Sequence, residues 1–320
     1  MTVTTMIPKK KILFLLKLAV TSGLVALLIE KVDWTAIGEK FSEASLPLVL
    51  AAFAFYVIGM LISVGRWRVT ARFKKFDLPF ADAVRFHLAG LFINNFLPSF
   101  LGGDAYRSYL LGREDKRYAA ATSTVIFVRF VGLWATIALF LAFGFLSYGT
   151  VFSQPMFSLF GLGLGIFFVF DVLLTLFSDR APVQRLFSIF PKKLQGFFRE
   201  IGGYTDRNFL WESFLVSLAF SFVGVGLFNL ALFSAFGESV PVIPYLSVVF
   251  LTSFVSSLPL SVNNIGLKEW AYYTFFPLIG ISPEAALAVA LLGRFLQMFA
   301  SLFGARSFFK EKKRRLAENG

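Results

Sequence analysis

Residues 94–104, NNFLPSFLGGD, interrupt an otherwise apolar stretch that runs from Phe80 to Leu111. A second apolar stretch, Ile243–Ile279, is interrupted in the same way by residues 258–266, LPLSVNNIG. Proline removes a helical hydrogen bond, and glycine and asparagine adopt left-handed turns, so each stretch should form two short helices. Broken backbone at membrane depth is tolerated only where protein or a watery cavity satisfies it. We therefore interpret each stretch as a re-entrant helical hairpin, with a pair of short full spans as the alternative.

The remainder of the chain consists largely of long apolar runs. Of its 320 residues, 57% are apolar and only 16% are charged, and the mean hydropathy is +0.73. A soluble domain carries about 25% charged residues, so soluble globular and disordered proteins are excluded. A spanning helix needs about 20 apolar residues. The runs that qualify are Ile12–Ile29, Leu46–Val64, Ala119–Tyr148, Met156–Phe177, Phe209–Phe236 and Ala285–Phe309. The predicted fold is an all-α membrane protein with about six full transmembrane helices and two re-entrant hairpins.

Basic residues lie on one side of these predicted spans. Lysine and arginine are concentrated before residue 12, within 64–80, 107–117 and 177–209, and after residue 309. The loops on the opposite side hold only Lys31 and Lys40. The positive-inside rule then places both termini in the cytoplasm of a bacterial-type cytoplasmic membrane. This placement accounts for the net charge of +12, so nucleic acid is not expected as a partner. The segment Pro182–Arg207 alternates apolar and basic residues and should lie on the inner membrane surface.

The two interrupted stretches also resemble each other, which predicts an internal repeat. A charged pair follows each break, Asp104 with Arg107 and Lys268 with Glu269. A long apolar run then contains one arginine, Arg129 or Arg294, at the same distance from the acidic residue. Three full spans separate the hairpins, so the second should enter from the opposite face, as in inverted-repeat transporters. We expect halves at about 46–177 and 209–309 within one integral membrane domain, residues 1–320.

The two arginines are the strongest candidates for a substrate site. Each lies about ten residues into its span, roughly 15 Å from the ends, where burial of the charge costs about 2.5–3.5 kcal/mol. Arg129 and Arg294 either face an internal cavity as anion ligands or form structural ion pairs with Asp104, Glu269 or Asp171. The planar guanidinium can donate to two phosphate oxygens at once, which favours a phosphate ligand.

The hairpin tips supply the other candidate ligands. Asparagine amides and free backbone groups at the ends of half-helices can replace the hydration of an anion, or they can simply cap the broken helices. Lys268 and Glu269 can likewise bind substrate or neutralise each other as neighbours. The candidate substrate-binding residues are Asn94, Asn95, Pro98, Gly102, Gly103, Asp104, Arg107, Arg129, Pro259, Asn263, Asn264, Gly266, Lys268, Glu269 and Arg294.

The composition argues against an enzyme. The chain has no cysteine and a single histidine, His87, which excludes thiolate chemistry and disfavours histidine-based metal binding or Ser-His catalysis. We therefore expect no catalytic residue, no metal and no cofactor.

Residues 94–107 resemble the first signature of the lysylphosphatidylglycerol synthase transmembrane family. Residues 258–269 are similar to the second signature, in which a glycine precedes a basic–acidic pair. The similarity runs from about Lys11 to Arg306. In the multi-peptide resistance factors this region is the flippase half, which moves aminoacylated phosphatidylglycerol to the outer leaflet. Some stand-alone relatives are implicated in handling other lipids, including hopanoid-type and lipid-linked glycan partners.

The resistance factors continue into a soluble aminoacyl-transferase domain, whereas this sequence ends at Gly320, 11 residues after Phe309. The resemblance therefore implies a translocase half without the synthase, acting on an anionic or aminoacylated phospholipid or a related lipid. Two alternatives stay open: an ion-coupled carrier of a small anion, and a non-catalytic membrane subunit that docks a lipid-modifying synthase. The expected partners are membrane lipids. A separate synthase or transferase and a homo-oligomer are further possibilities.

Overall fold

A computed structural model describes residues 9–96, 102–177, 180, 181, 183, 185, 200 and 203–318. Within these residues the regular structure is entirely helical, which confirms the all-α class. The α-helices are α1 (Lys9–Lys31), α2 (Trp34–Ser42), α3 (Leu46–Phe73), α4 (Phe80–Phe96), α5 (Gly102–Gly112), α6 (Tyr118–Leu146), α7 (Pro155–Leu176), α8 (Arg207–Ser221), α9 (Phe228–Ala235), α10 (Val242–Ser257), α11 (Leu267–Phe275) and α12 (Pro283–Glu318). A π-helical turn, Phe222–Leu227, joins α8 to α9 without a break.

Five of the predicted spans are helices that are long and apolar enough to cross a membrane. They are Leu46–Phe73, Tyr118–Leu146, Pro155–Leu176, Arg207–Ala235 and Pro283–Lys310. The remaining predicted span, Ile12–Ile29, lies within α1 and is helical throughout. Its role as a sixth span stays a prediction.

The two interrupted stretches are broken where the sequence predicts. α4 and α5 are separated by residues 97–101, which lie outside the described residues, and α10 and α11 are separated by residues 258–266. α5 has 11 residues and α11 has 9, so they are roughly 17 and 14 Å long. A hydrocarbon core is about 30 Å thick. Both helices are shorter than a full span, and the choice between re-entrant hairpins and pairs of short spans stays a prediction.

The second break is built from left-handed backbone. Asn263 and Asn264 have φ angles of 50° and 56°, and Gly266 has a φ of 80°. Asparagine and glycine tolerate this conformation better than other residues. The backbone N–H of Gly266 donates to Oε2 of Glu269 at 2.9 Å, so the carboxylate caps the start of α11. Helix α1 braces the turn, because Thr21 Oγ1 accepts from the Val262 N–H at 2.8 Å.

The helices of the two predicted halves pack reciprocally. α12 packs along α4, and α6 packs along α10. α3 crosses the π-helical turn where Gly59 meets Gly224, and a Cβ on either glycine would overlap or crowd the other's backbone. The pairs Gly59 and Gly224, Asp104 and Glu269, and Arg129 and Arg294 share one separation along the chain. This packing is the arrangement that two related halves would produce. The halves themselves and their inversion across a membrane stay predictions.

The predicted amphipathic segment Pro182–Arg207 lies mostly outside the described residues. Where the described chain resumes, Tyr204 is fully buried. Its ring stacks on Phe127 with centroids 4.0 Å apart, and its hydroxyl lies 3.1 Å from Ser123 Oγ. The end of this segment is therefore packed against α6.

Candidate substrate cavity

A cavity of about 300 Å³ lies where the two broken helices approach each other. The first broken helix contributes the end of α4, and the second contributes the 263–264 turn and the start of α11. Arginines of α6 and α12 and the π-helical turn complete the wall. The lining residues are Leu91, Asn94, Asn95, Arg129, Gly224, Val225, Phe228, Asn229, Ser253, Ser256, Asn263, Asn264, Lys268, Tyr272, Arg294 and Gln297.

Arg129 is held at the cavity by Asp104 of the first hairpin. Asp104 is buried in the first turn of α5, where the positive end of the helix dipole favours a carboxylate. Its Oδ2 contacts Nη2 of Arg129, and its Oδ1 accepts from Nη2 of Arg107. One carboxylate therefore forms ion pairs with two guanidinium groups.

Arg294 is held by Glu269 of the second hairpin in a two-point contact. Its Nε donates to Oε1 of Glu269 at 2.6 Å, and its Nη2 donates to Oε2 at 3.2 Å. The same guanidinium donates to the carbonyl oxygens of Asn263 at 3.3 Å and Asn264 at 3.0 Å. Paired planar contacts of this kind are stronger and more directional than single ones. Arg294 thus ties the left-handed turn to α11 and α12.

The ion-pair interpretation of the two arginines is confirmed, and their role as ligands of an anion stays a prediction. Each arginine forms an ion pair with the acidic residue of its own hairpin, and each also lines the cavity. Asp171, the third candidate ion-pair partner of the arginines, instead accepts a hydrogen bond from Nε1 of Trp134, which links α7 to α6. It makes a helix–helix contact outside the cavity.

Lys268 and Glu269, for which mutual neutralisation was one of two predicted interpretations, form no direct ion pair. Adjacent residues on a helix do not face each other, and both oxygens of Glu269 are already engaged by Arg294 and the Gly266 N–H. Lys268 points into the cavity wall, with Nζ 5.6 Å from the centroid of the Tyr272 ring. Among the described residues, no carboxylate lies within ion-pair distance of this ammonium group.

The hairpin amides divide between capping and lining. Asn94 Oδ1 accepts from the Gly103 N–H at 2.8 Å, so it closes the first break while also lining the cavity. Gly103 must be glycine here, because a Cβ would overlap the Gly90 carbonyl of α4. Asn264 Oδ1 is buried and accepts no hydrogen bond within the described part of the chain. It is an acceptor available to a ligand.

Pro98 lies outside the described residues. Among the described site residues, four glycines and prolines do not line the cavity. Gly102 begins α5, and Gly103 packs against α4. Pro259 is exposed at the second break, and Gly266 is buried against Leu24 of α1.

Arg107 packs behind the cavity rather than lining it. Its Nη1 donates to Nδ1 of His87 at 2.9 Å. Arginine can only donate, so this ring nitrogen accepts and the imidazole is neutral. The guanidinium also lies 5.4 Å from the Trp67 ring. A second buried arginine, Arg66, has Nη1 3.3 Å from Ser217 Oγ.

Sequence reasoning missed polar lining residues that lie inside apolar helices. Asn229 Nδ2 donates to the Val225 carbonyl at 2.8 Å, and its Oδ1 accepts from the Tyr272 hydroxyl at 2.6 Å. The Tyr245 hydroxyl donates to the Gly226 carbonyl at 2.7 Å. These bonds satisfy carbonyls in the π-helical turn. Amides within spans, such as Asn229 and Gln297, were the available signal, because polar groups at membrane depth are costly.

A second cavity of about 390 Å³ lies between α6, α7 and α8 and is mostly apolar. Its lining residues are Trp134, Phe168, Val172, Leu176, Phe177, Thr205, Arg207, Leu210, Trp211 and Phe214. Across the described ranges, no group of three or more His, Asp or Glu side chains is arranged to hold a metal ion.

Comparison with known proteins identifies relatives along most of the chain. Residues 14–304 match the family described as the lysylphosphatidylglycerol synthase TM region. The chain is also similar to a UPF0104 membrane protein of Methanocaldococcus jannaschii, with 25% identity over 233 residues. That alignment covers 71% of this chain and 97% of the relative.

Proposed function

The chain belongs to the lysylphosphatidylglycerol synthase transmembrane family, and from this premise we propose that it translocates a lipid between the leaflets of the cytoplasmic membrane. The cargo would be an anionic or aminoacylated phospholipid or a related lipid. The observation that carries the proposal is the polar cavity where the two broken helices meet, with a carboxylate-held arginine from each half in its wall.

A phospholipid headgroup that crosses bare hydrocarbon must shed its water, and an unpaired charge in that medium is costly. The cavity offers guanidinium, ammonium, amide and hydroxyl groups that can replace this hydration. Arg129 and Arg294 are held in place by Asp104 and Glu269, so little side-chain freedom is lost when an anion binds. The acyl tails would remain in the lipid while only the headgroup enters.

The packing of the halves supports alternating exposure of this site. Each hairpin packs on the long helix of the other half, and the contact between Gly59 and Gly224 brings two helix backbones together near the cavity. Small residues at a crossing allow close approach without interlocking side chains. A relative movement of the halves about this crossing would open the cavity to one leaflet at a time. No bond in the lipid would be formed or broken.

The orientation rests on charge and on one contact across the helices. Lys40 Nζ lies 2.5 Å from Glu238 Oε1, which puts two predicted outer-side loops on the same side of the bundle. We propose that both termini lie in the cytoplasm. Since the chain lacks cysteine, single cysteines at Asp33 and Gln195 can be labelled with an impermeant thiol reagent in intact cells. Labelling at Asp33 alone is expected, and labelling at Gln195 alone would reverse the orientation.

The function is tested in proteoliposomes that contain a phosphatidylglycerol with a fluorescent label on one acyl chain, which leaves the headgroup unchanged. An impermeant quencher added outside should reach about half of the label without the protein and nearly all of it with the wild type. The Arg294→Gln variant should slow this exchange at least tenfold, and Arg294→Lys should restore part of it, since lysine keeps the charge but not the planar fork. Lys31→Gln, at an exposed lysine, is the matched control.

Two results would redirect the proposal. Uptake of inorganic phosphate or glycerol phosphate into the vesicles, without movement of the labelled lipid, would favour the carrier of a small soluble anion. Copurification with a transferase, without either transport activity, would favour a docking subunit of a lipid-modifying synthase.

A further inference from the structure

The charges around the cavity are not balanced. Four cations face or support it, Arg107, Arg129, Lys268 and Arg294, against the two carboxylates of Asp104 and Glu269. Both carboxylates are buried, with 7% and 4% of their surface exposed. Residues 97–101, which lie outside the described residues, contain no charged side chain. The cavity therefore carries an excess of positive charge at a depth where isolated charges are disfavoured.

The two carboxylates are also unavailable to a ligand. Asp104 is shared between two guanidinium groups, and Glu269 accepts from Arg294 and from the Gly266 N–H. An ammonium group in the cavity would need an acidic partner of its own. No third carboxylate lines the cavity within the described residues. A cationic ligand would instead meet the ammonium of Lys268 and two guanidinium groups.

From this arrangement we propose that the cavity selects a lipid headgroup with a net negative charge, a phosphate ester, and rejects aminoacylated headgroups. The inference rests on the proposed lipid translocation and narrows its cargo. Lys268 is the specificity-determining residue, because its ammonium group lines the wall and forms no ion pair with a carboxylate of the described residues. As a point charge with three donors on a flexible stem, it can follow a phosphate that approaches from either leaflet.

The neutral groups of the wall indicate what surrounds the phosphate. Asn264 Oδ1 is a buried acceptor without a hydrogen bond, which suits a hydroxyl group of the headgroup. Ser253 and Ser256 face the same space from α10. A volume of about 300 Å³ accommodates a small headgroup but not acyl chains as well. A phosphodiester that carries hydroxyl groups, such as a glycerol headgroup, matches this wall.

The test compares three lipids with identical acyl chains. Phosphatidylglycerol carries one negative charge, phosphatidylethanolamine is neutral overall, and lysyl-phosphatidylglycerol is positive. Binding to the purified protein in mild detergent is measured by native mass spectrometry, and translocation is measured in proteoliposomes. We expect phosphatidylglycerol to bind at least tenfold more tightly than either of the others. In the Lys268→Gln variant this preference should fall at least tenfold, while Lys268→Arg and the control Lys31→Gln should retain it.

If Lys268→Gln does not fold, the charge selection is still tested by comparing the three lipids on the wild-type protein. Equal or tighter binding of lysyl-phosphatidylglycerol would overturn the charge selection but leave lipid translocation standing. Unchanged selectivity in a folded Lys268→Gln variant would overturn the role of Lys268. Binding of soluble glycerol phosphate, with none of the three lipids bound or moved, would overturn the selection and the lipid function together.

Discussion

Replacement of Glu269 by glutamine should destabilise the protein by about 3–5 kcal/mol, the range for breaking a buried ion pair from one side. The structure supplies three reasons for this magnitude. The Glu269 side chain is only 6% exposed, it contacts the Arg294 guanidinium at two points, and it caps α11 through the Gly266 N–H. A glutamine can keep one acceptor, but its amide N–H group would face a donor on Arg294 or on Gly266. The Arg294 carbonyl contacts at the 263–264 turn remain, which favours the lower half of the range.

The assay is equilibrium unfolding in detergent, followed by tryptophan fluorescence, with a double-mutant cycle. Glu269→Gln combined with Arg294→Gln should cost less than the sum of the single changes by about 1–3 kcal/mol, since no unpaired charge is left. The matched control is Glu238→Gln, which breaks the more exposed pair with Lys40 and should cost about 0–1 kcal/mol. If Glu269→Gln costs no more than Glu238→Gln, then the pair does not hold Arg294 and the argument for a preorganised cavity fails.

Two further predictions address the packing of the halves. Gly59→Ala should lower the free energy of unfolding by about 1–3 kcal/mol, because the added Cβ would overlap the facing helix. The control Gly23→Ala, with open space around the Cβ, should leave the stability unchanged or raise it slightly. Equal stability changes for the two variants in thermal unfolding would argue against the close helix crossing. Cysteines at Asn95 and Asn264 line the same cavity and should be joined by a short bifunctional thiol reagent, seen as protection from a later maleimide label. If each cysteine reacts alone but the pair is not crosslinked, the two hairpin tips do not lie at the same cavity.

Much of the architecture follows from local chemistry and was predictable. Apolar runs of about 20 residues form helices at membrane depth because no water is available to satisfy the backbone, so five predicted spans coincide with helices. The break between α10 and α11 at residues 258–266 follows from local backbone chemistry, because proline lacks the N–H donor and asparagine and glycine adopt left-handed backbone. The acid–arginine pairs were also predicted as one of two interpretations, because buried charges require partners.

The sequence alone did not determine which side chains share the cavity. Lys268 and Glu269 are adjacent in the sequence, yet neighbouring helical residues do not face each other, and Arg294 occupies the Glu269 carboxylate. Arg107 and Pro259 lie within the two signatures but do not line the cavity, whereas Asn229 of α9 and Tyr272 of α11, outside the signatures, do.

The sequence by itself thus determined the class of protein, the positions of the helices and the need to pair each deep charge. Those properties depend on transfer free energies and backbone conformation, which act residue by residue. The tertiary structure decided which charge remained unpaired and which polar groups met at one point. Such contacts join residues far apart in the chain, as with Gly59 and Gly224, and only the packing of helix on helix brings them within reach. The excess positive charge that defines the proposed cargo is therefore a property of the fold.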